Sequence, residues 1–144
     1  MHQAMPTDIQ ERCNIIEACY EFTLSYAAQG LPTDDGSPSG KQLREHLTRA
    51  IEAVRGIDES YTVAVRQEQL APADPHQAFS AVLARDAESS LAAIELVLAQ
   101  PAISSQLIDN LNASMHLRAM LTDLFLITEI LELRQSQAKA LTAG

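Results

Sequence analysis

The sequence predicts an all-α fold, an up-down-up-down antiparallel four-helix bundle with long helices that spans residues 1–144 as a single domain. Three observations support this prediction. Apolar residues recur at alternating spacings of three and four over four long segments, which is the period of an amphipathic helix. Short connections join these segments, and short connections make consecutive helices antiparallel. No segment shows the sustained apolar and polar alternation of a half-buried strand.

The first helix is predicted over about residues 8–29. Thr7 or Asp8 can accept hydrogen bonds from the first free backbone N–H groups, and a Gln or Glu three residues later can complete a capping box. Gly30 can adopt the left-handed conformation that commonly ends a helix. The apolar residues form two adjacent stripes, which suits a helix that contacts two neighbours.

The second helix is predicted over about residues 39–69, after a flexible loop at residues 30–40 that is rich in Gly, Pro, Ser and Asp. One apolar spacing continues without interruption from Leu43 to Ala64. Gly56 lies inside it and costs about 1 kcal/mol relative to Ala in a continuous helix. It therefore marks either a bend or a break into two helices.

The third helix is predicted from about Asp74 or Pro75 to Gln100. Asp74 can cap it with Gln77 closing a capping box, Pro75 suits the first helical turn, and Pro101 disfavours helical geometry in the residue before it. The fourth begins after Ser104 or Ser105 and reaches about Arg134. The terminal residues 1–6 and 136–144 are expected to be frayed.

The fourth predicted helix carries two apolar stripes that are displaced around its axis by more than a quarter turn. Two interpretations remain. Either the helix breaks near residues 112–116, or one stripe is left over and binds a partner protein or a second copy of the chain. The first stripe contains Leu107, Ile108, Leu111 and Met115, and the second contains Leu117, Met120, Leu124, Ile127 and Leu131.

The composition limits the classes of partner. The chain has 19 acidic and 10 basic residues and a formal net charge of -9, so its surface repels nucleic acid and anionic membranes and attracts basic protein surfaces. The chain shows neither a secretory signal nor a transmembrane segment, which predicts a cytoplasmic location.

Motifs for phosphate binding and redox chemistry are weak. Cys13 and Cys19 lie about 120° apart on one helix, so they cannot pair and are expected to be reduced and packed. The segment 36–42, GSPSGKQ, resembles a phosphate-binding loop. It lacks the hydroxyl that holds magnesium and the preceding strand, so a solvated loop is expected.

Metal and histidine chemistry have equally limited support. No Glu-x-x-His pair of a di-iron bundle occurs. Asp109, His116 and Asp123 share one face of a straight fourth helix, where they are half of a metal site, an oriented acid–base histidine or a plain solvated side. We expect no cofactor and no metal. His46, with Arg49 three residues later, resembles the exposed histidine of phosphotransfer domains, but the bulky Ile51 departs from that pattern.

The sequence therefore predicts a non-enzymatic protein-interaction or self-associating bundle, an adaptor, regulator or assembly factor that could form a homodimer. Its predicted contact residues are Leu107, Ile108, Leu111 and Met115. The alternative is a bundle that binds a small molecule or a metal at an interior site, with Cys19, Tyr20, Tyr26, His46 and His116 as candidate lining residues. A weaker alternative is phosphotransfer at His46.

Overall fold

The computed structural model describes residues 7–143, and this part of the chain is helical with no strand. Residues 1–6 and 144, which the sequence analysis places in the frayed ends, lie outside the described residues. Six helices replace the four that the sequence predicts. They are α1 (Asp8–Ala28), α2 (Pro38–Val54), α3 (Ile57–Gln67), α4 (Ala73–Leu98), α5 (Ser105–Ala113) and α6 (Met115–Ala143).

The N-terminus of α1 has the predicted capping box. The Thr7 side chain accepts a hydrogen bond from the backbone N–H of Gln10, and the Gln10 side chain accepts one from the backbone N–H of Thr7. Gly30, two residues after the end of α1, has a φ of 66°. These local signals therefore set both ends of α1.

The predicted second helix is divided at Gly56, which has a φ of 74° and separates α2 from α3. A left-handed residue cannot continue a right-handed helix, so the chain changes direction here. The spacing of apolar residues continues across the break because Val54 and Ile57, on either side of it, are both buried.

The predicted fourth helix is divided at Ser114, within the predicted range of 112–116. Ser114 has extended geometry, with φ of -64° and ψ of 143°, and its hydroxyl accepts a hydrogen bond from the N–H of Leu117. This is the arrangement of an N-cap, so one residue ends α5 and starts α6. The helix then continues to Ala143 rather than ending near Arg134. Residues 135–143 contain Ala, Gln and Lys, which favour helix, and no Gly or Pro.

The start of α4 also differs from the prediction. The N-cap is Pro72 and Asp74 lies in the first turn, so Asp74 supplies negative charge near the helix N-terminus rather than a capping hydrogen bond. The opposite end agrees more closely, since α4 ends at Leu98, near the predicted Gln100.

The core receives large, fully buried side chains from every helix. They include Tyr26, Leu43, Tyr61, Leu83, Ile108 and Leu124, one from each helix in chain order. Helix α1 packs mainly on α2 and α5, α3 packs on α4, and α6 packs mainly on α4. Helices α4 and α6 run in opposite directions, because Ser90 bonds to the carbonyl of His116 while Asp86, nearer the start of α4, meets Asp123.

Three arginines bind the carbonyl groups at the C-terminal ends of other helices. A cation there satisfies acceptors that lack intrahelical partners and complements the negative end of the helix dipole. The donations run from Arg12 to the carbonyl oxygens of Ala53 and Arg55, from Arg44 to those of Leu98 and Gln100, and from Arg134 to that of Glu68.

The predicted loop between α1 and α2 is held by Asp34. Its buried carboxylate accepts hydrogen bonds from Arg44 Nε at 2.6 Å and from the backbone N–H of Ile103 at 2.7 Å. The guanidinium of Arg44 also lowers the pKa of Asp34. Gly40 approaches the loop so closely that a Cβ atom would lie 1.9 Å from the carbonyl oxygen of Asp34. This contact requires glycine at position 40.

Candidate interaction face and interior polar site

Exposed large apolar side chains concentrate on α6. Leu126, Ile130 and Leu133 have a spacing of four and three, which places them within about 60° of one another around the helix. Met115, at the start of α6, lies in the same angular range and is 84% exposed. We call these four residues the α6 outer face. They point away from the buried stripe of α6, and no described helix covers them.

One flank of the α6 outer face combines an aromatic ring with negative charge. Phe125, Glu129 and Glu132 lie within about 60° of one another, beside the outer face. Phe125 is 54% exposed, and both glutamates are exposed. Exposed Arg118 shares this flank near Met115, whereas Arg134, on the other side of the face, donates to the carbonyl of Glu68. The surroundings of Leu126, Ile130 and Leu133 are therefore apolar and acidic, and the one arginine of this flank lies toward the start of α6.

Most of the predicted partner-binding stripe faces the core of the protein rather than its surface. Ile108 and Leu111 are buried, and Leu107 packs against the core. The break at Ser114 explains this, because it turns α6 so that both stripes of the predicted fourth helix enter the core. Of the four predicted contact residues, only Met115 is on the surface.

A small cavity lies in the core between α1, α2, α5 and α6, with one residue of α4 in its wall. Its volume is about 20 Å³, and Cys19 and Tyr20 line it as the sequence analysis expects of an interior site. This volume is enough for about one water molecule, whereas a cavity that binds benzene measures about 150 Å³. The remaining lining residues are Ile16, Thr23, Leu47, Ala50, Val54, Ile94, Leu111, Asn112, Leu117, Met120 and Leu121.

Asn112 brings an unsatisfied polar group to this cavity. Its Oδ1 accepts a hydrogen bond from the hydroxyl of Thr23 at 3.2 Å, and its Nδ2 has no partner, although the residue is only 8% exposed. The Thr23 hydroxyl also bonds to the carbonyl of Tyr20. Turning the amide would let Nδ2 donate to Thr23 but would leave Oδ1 without a donor. One amide atom of Asn112 is thus unsatisfied within the protein in either orientation.

The two cysteines are buried thiols. Burial raises the pKa of Cys13 to about 11 and that of Cys19 to about 12. Since the thiolate is the nucleophile, both groups are chemically inert at neutral pH. Cys13 lies near Thr128 of α6, whose hydrogen bond opposes part of the shift in its pKa.

The other predicted lining residues lie outside the cavity. Tyr26 is a core residue whose hydroxyl donates to the carbonyl oxygen of Ile103 at 2.6 Å, which gives this side chain a structural role. His46 is half-buried and stacks on Phe22, with 4.5 Å between ring centroids. His116 is exposed, and its backbone carbonyl accepts a hydrogen bond from Ser90.

A larger cleft of about 330 Å³ lies where the end of α1 meets the start of α5. Its hydroxyl groups already stabilise the fold. Ser104 caps α5, and Ser105 donates to the carbonyl of Tyr26 while it accepts from the N–H of Leu31. These hydroxyl groups are therefore not free for a ligand, and the charged group that lines the cleft is the exposed carboxylate of Asp109.

The residues Asp109, His116 and Asp123 do not form the site that their spacing suggests. The break at Ser114 separates Asp109 from the other two, and Asp123 is buried while His116 is exposed. Among residues 7–143, no group of three or more His, Cys, Asp or Glu side chains is arranged to hold a metal ion.

Asp123 is instead paired with Asp86 of α4. It is only 6% exposed, and one carboxylate oxygen, Oδ2, has no hydrogen-bond partner. Burial and the neighbouring carboxyl of Asp86 raise the pKa of Asp123 to about 7. No spacing in the sequence connects Asp86 with Asp123, because the two residues are brought together only by the packing of α4 on α6.

The comparisons with known proteins add no functional information. No family model, no curated protein and no solved structure matches the chain. In the described part of the chain, every helix is too short or too polar to span a bilayer.

Proposed function

We propose that this protein is a non-enzymatic binding domain whose α6 outer face docks an amphipathic helix of a basic partner protein. The observation that supports this proposal is the row of exposed Leu126, Ile130 and Leu133 beside acidic residues on one long helix. A helix that binds in this way contributes apolar residues at spacings of three and four, which match the spacing on α6.

The charge of the chain favours a basic partner over a second copy. Glu129 and Glu132 lie close to Ile130, the middle of the apolar row. In an antiparallel pairing of two α6 helices centred on Ile130, the flanks that carry these glutamates would meet. Like charges at such positions destabilise pairing, and the net charge of -9 adds repulsion between copies.

The interior site supports a small-molecule function less well. The cavity beside Asn112 has room for about one water molecule. Phosphotransfer also has little geometric support, because His46 is half-buried against the ring of Phe22. Binding of a protein partner is therefore the function that the surface supports best.

The test uses two synthetic helical peptides of about 20 residues, each with Leu at spacings of three and four. One peptide has Lys at its polar positions and the other has Glu. Fluorescence anisotropy at low salt should show binding of the basic peptide and none of the acidic one. In the protein, Leu126→Ser with Leu133→Ser should weaken binding at least about tenfold, because each buried Leu contributes about 1.5–3 kcal/mol.

The matched control is Leu96→Ser on α4, where the native side chain is also a leucine and is 66% exposed. This variant should bind the basic peptide as the native protein does. Equal loss with Leu96→Ser and with the α6 variant would reject the α6 outer face as the binding site. A native dimer in sedimentation that Leu126→Ser dissociates would reject the basic partner in favour of a second copy.

A further inference from the structure

Two carboxyl groups face one another where α6 packs on α4. Buried contacts between helices are ordinarily made by apolar side chains or by oppositely charged pairs. Asp123 of α6 is almost completely buried, and its Oδ2 has no hydrogen-bond partner. The neighbouring group on α4 is Asp86, which is half-buried and close enough to share a hydrogen bond with Asp123.

Among residues 7–143, no ion pair compensates these carboxyl groups. The ion pairs among the described residues involve Asp8, Asp34 and Glu95, and neither Asp86 nor Asp123. The other helices that pack on α6 do not supply positive charge at this point. Helix α1 brings half-buried Glu17 close to Cys13, and α5 brings exposed Asp109.

Groups on the two paired helices themselves do not neutralise the site either. Arg85 and Glu88, the charged neighbours of Asp86 on α4, are both exposed. On α6, His116 lies seven residues before Asp123 and is exposed as well. Two ionised carboxylates in contact and away from water repel one another, whereas one proton between them converts the repulsion into a hydrogen bond.

We propose that Asp86 and Asp123 hold one proton in common and form a pH-sensitive clasp between α4 and α6. Uptake of one proton from water makes one carboxyl group a donor to the other, so that the two groups attract rather than repel one another. Release of that proton leaves two negative charges in contact, which separates α6 from α4. The clasp is independent of the proposed docking of a partner on the outer face of α6.

The sign of the pH dependence follows from burial and proton sharing. Burial and the carboxyl of Asp86 raise the pKa of Asp123 to about 7. Its contribution to stability is complete below the pKa of the unfolded chain, about 3.9, and is lost as pH rises through about 7. Over this window the unfolding equilibrium constant should rise by up to about tenfold per pH unit.

Urea unfolding of the full chain at pH 5, 6, 7 and 8, with EDTA present, tests the clasp. The native protein should lose stability steadily as pH rises. Asp123→Asn should lose much less, because the amide donates to the Asp86 carboxylate at every pH. Hydrogen exchange should show faster opening of α6 at pH 8 than at pH 6 in the native protein and no such difference in the variant, after correction for the intrinsic exchange rates.

Two controls keep the result specific. Asp109→Asn removes an exposed carboxylate of α5 and should retain the native pH dependence. A native pH dependence in Asp123→Asn would overturn the proposal. If Mg²⁺ or Ca²⁺ without EDTA raises the stability of the native protein at pH 8 and not that of Asp123→Asn, the pair binds a cation and the shared proton is rejected.

Discussion

At the scale of single residues, Asn112 is a buried polar group with one amide atom that the fold leaves without a hydrogen bond. Its Nδ2 lacks a partner beside an otherwise largely apolar cavity of about 20 Å³. Burying an unsatisfied amide costs about 1–3 kcal/mol, and an apolar group of similar shape avoids that cost. Thr23 keeps its hydrogen bond to the carbonyl of Tyr20 without Asn112.

We therefore expect Asn112→Leu to raise the free energy of unfolding by about 1 kcal/mol, because the new methyl groups enter the cavity and the unsatisfied amide is removed. Chemical denaturation at constant pH measures this change. Asn112→Asp is the matched comparison, and it should lower stability because it buries a charge at the same position. A loss of stability in Asn112→Leu would show that the amide has a partner.

At the scale of helices, Gly56 decides between a continuous and a divided second helix. In a continuous helix, Gly56→Ala would raise stability by about 1 kcal/mol. Because the φ of Gly56 is 74°, an added Cβ is strained instead, and we expect Gly56→Ala to lower the free energy of unfolding by about 1–2 kcal/mol.

Thermal unfolding of Gly56→Ala gives the sign directly. Ala50→Gly, at a buried interior position of α2, should also destabilise, since glycine weakens a helix interior. Gly56→Ala and Ala50→Gly are opposite substitutions, and both should lower the unfolding temperature. A higher unfolding temperature for Gly56→Ala would mean that α2 and α3 are continuous.

The helix ends that depend on hydrogen bonds between residues close in sequence could be predicted from the sequence. Thr7 and Ser104 cap α1 and α5 as expected, because the capping hydrogen bonds join residues only three apart. Periodicity could not decide whether the displaced stripes of the fourth helix implied a break or a free surface. The break at Ser114 turns α6 so that the second stripe also faces the core. Serine occurs inside helices as well as at their ends, so its presence at position 114 does not by itself indicate a break.

The candidate site was predictable only in part. Met115 was identified, whereas Leu126, Ile130 and Leu133 were not, although their spacing of four and three was visible. A spacing pattern shows that residues share a face but not which face a neighbouring helix covers. Asp86 and Asp123 were equally hidden as a pair, because their contact depends on how α4 and α6 align.

At the scale of the whole molecule, carboxyl groups whose pKa values are shifted in opposite directions set the pH range over which the fold is most stable. Arg44 lowers the pKa of Asp34, and the hydroxyl of Ser60 together with Arg12 lowers that of Asp8. Their contribution is present above the unfolded value of about 3.9 and is lost as pH falls through their lower folded values. Asp123 acts in the opposite direction at higher pH.

We expect the urea midpoint of unfolding to be highest near about pH 4 and to fall toward both pH 2 and pH 7. Asp34→Asn should flatten the acidic side and Asp123→Asn the alkaline side, although Asp34→Asn also weakens the contact with Arg44. A midpoint that rises continuously to pH 8 would contradict the opposing shifts. A general effect of net charge would change both sides of the pH profile in both variants, whereas the individual groups predict a change on one side in each.

The connection between α5 and α6 has a consequence for changes in chain length. It consists of Ser114 alone, whereas residues 29–37 join α1 to α2. Because Ser114 is both the C-cap of α5 and the N-cap of α6, an insertion at residue 114 would separate the two caps and change the direction in which the buried stripe of α6 faces. Related chains should vary in length at the longer loops and keep the length of this junction.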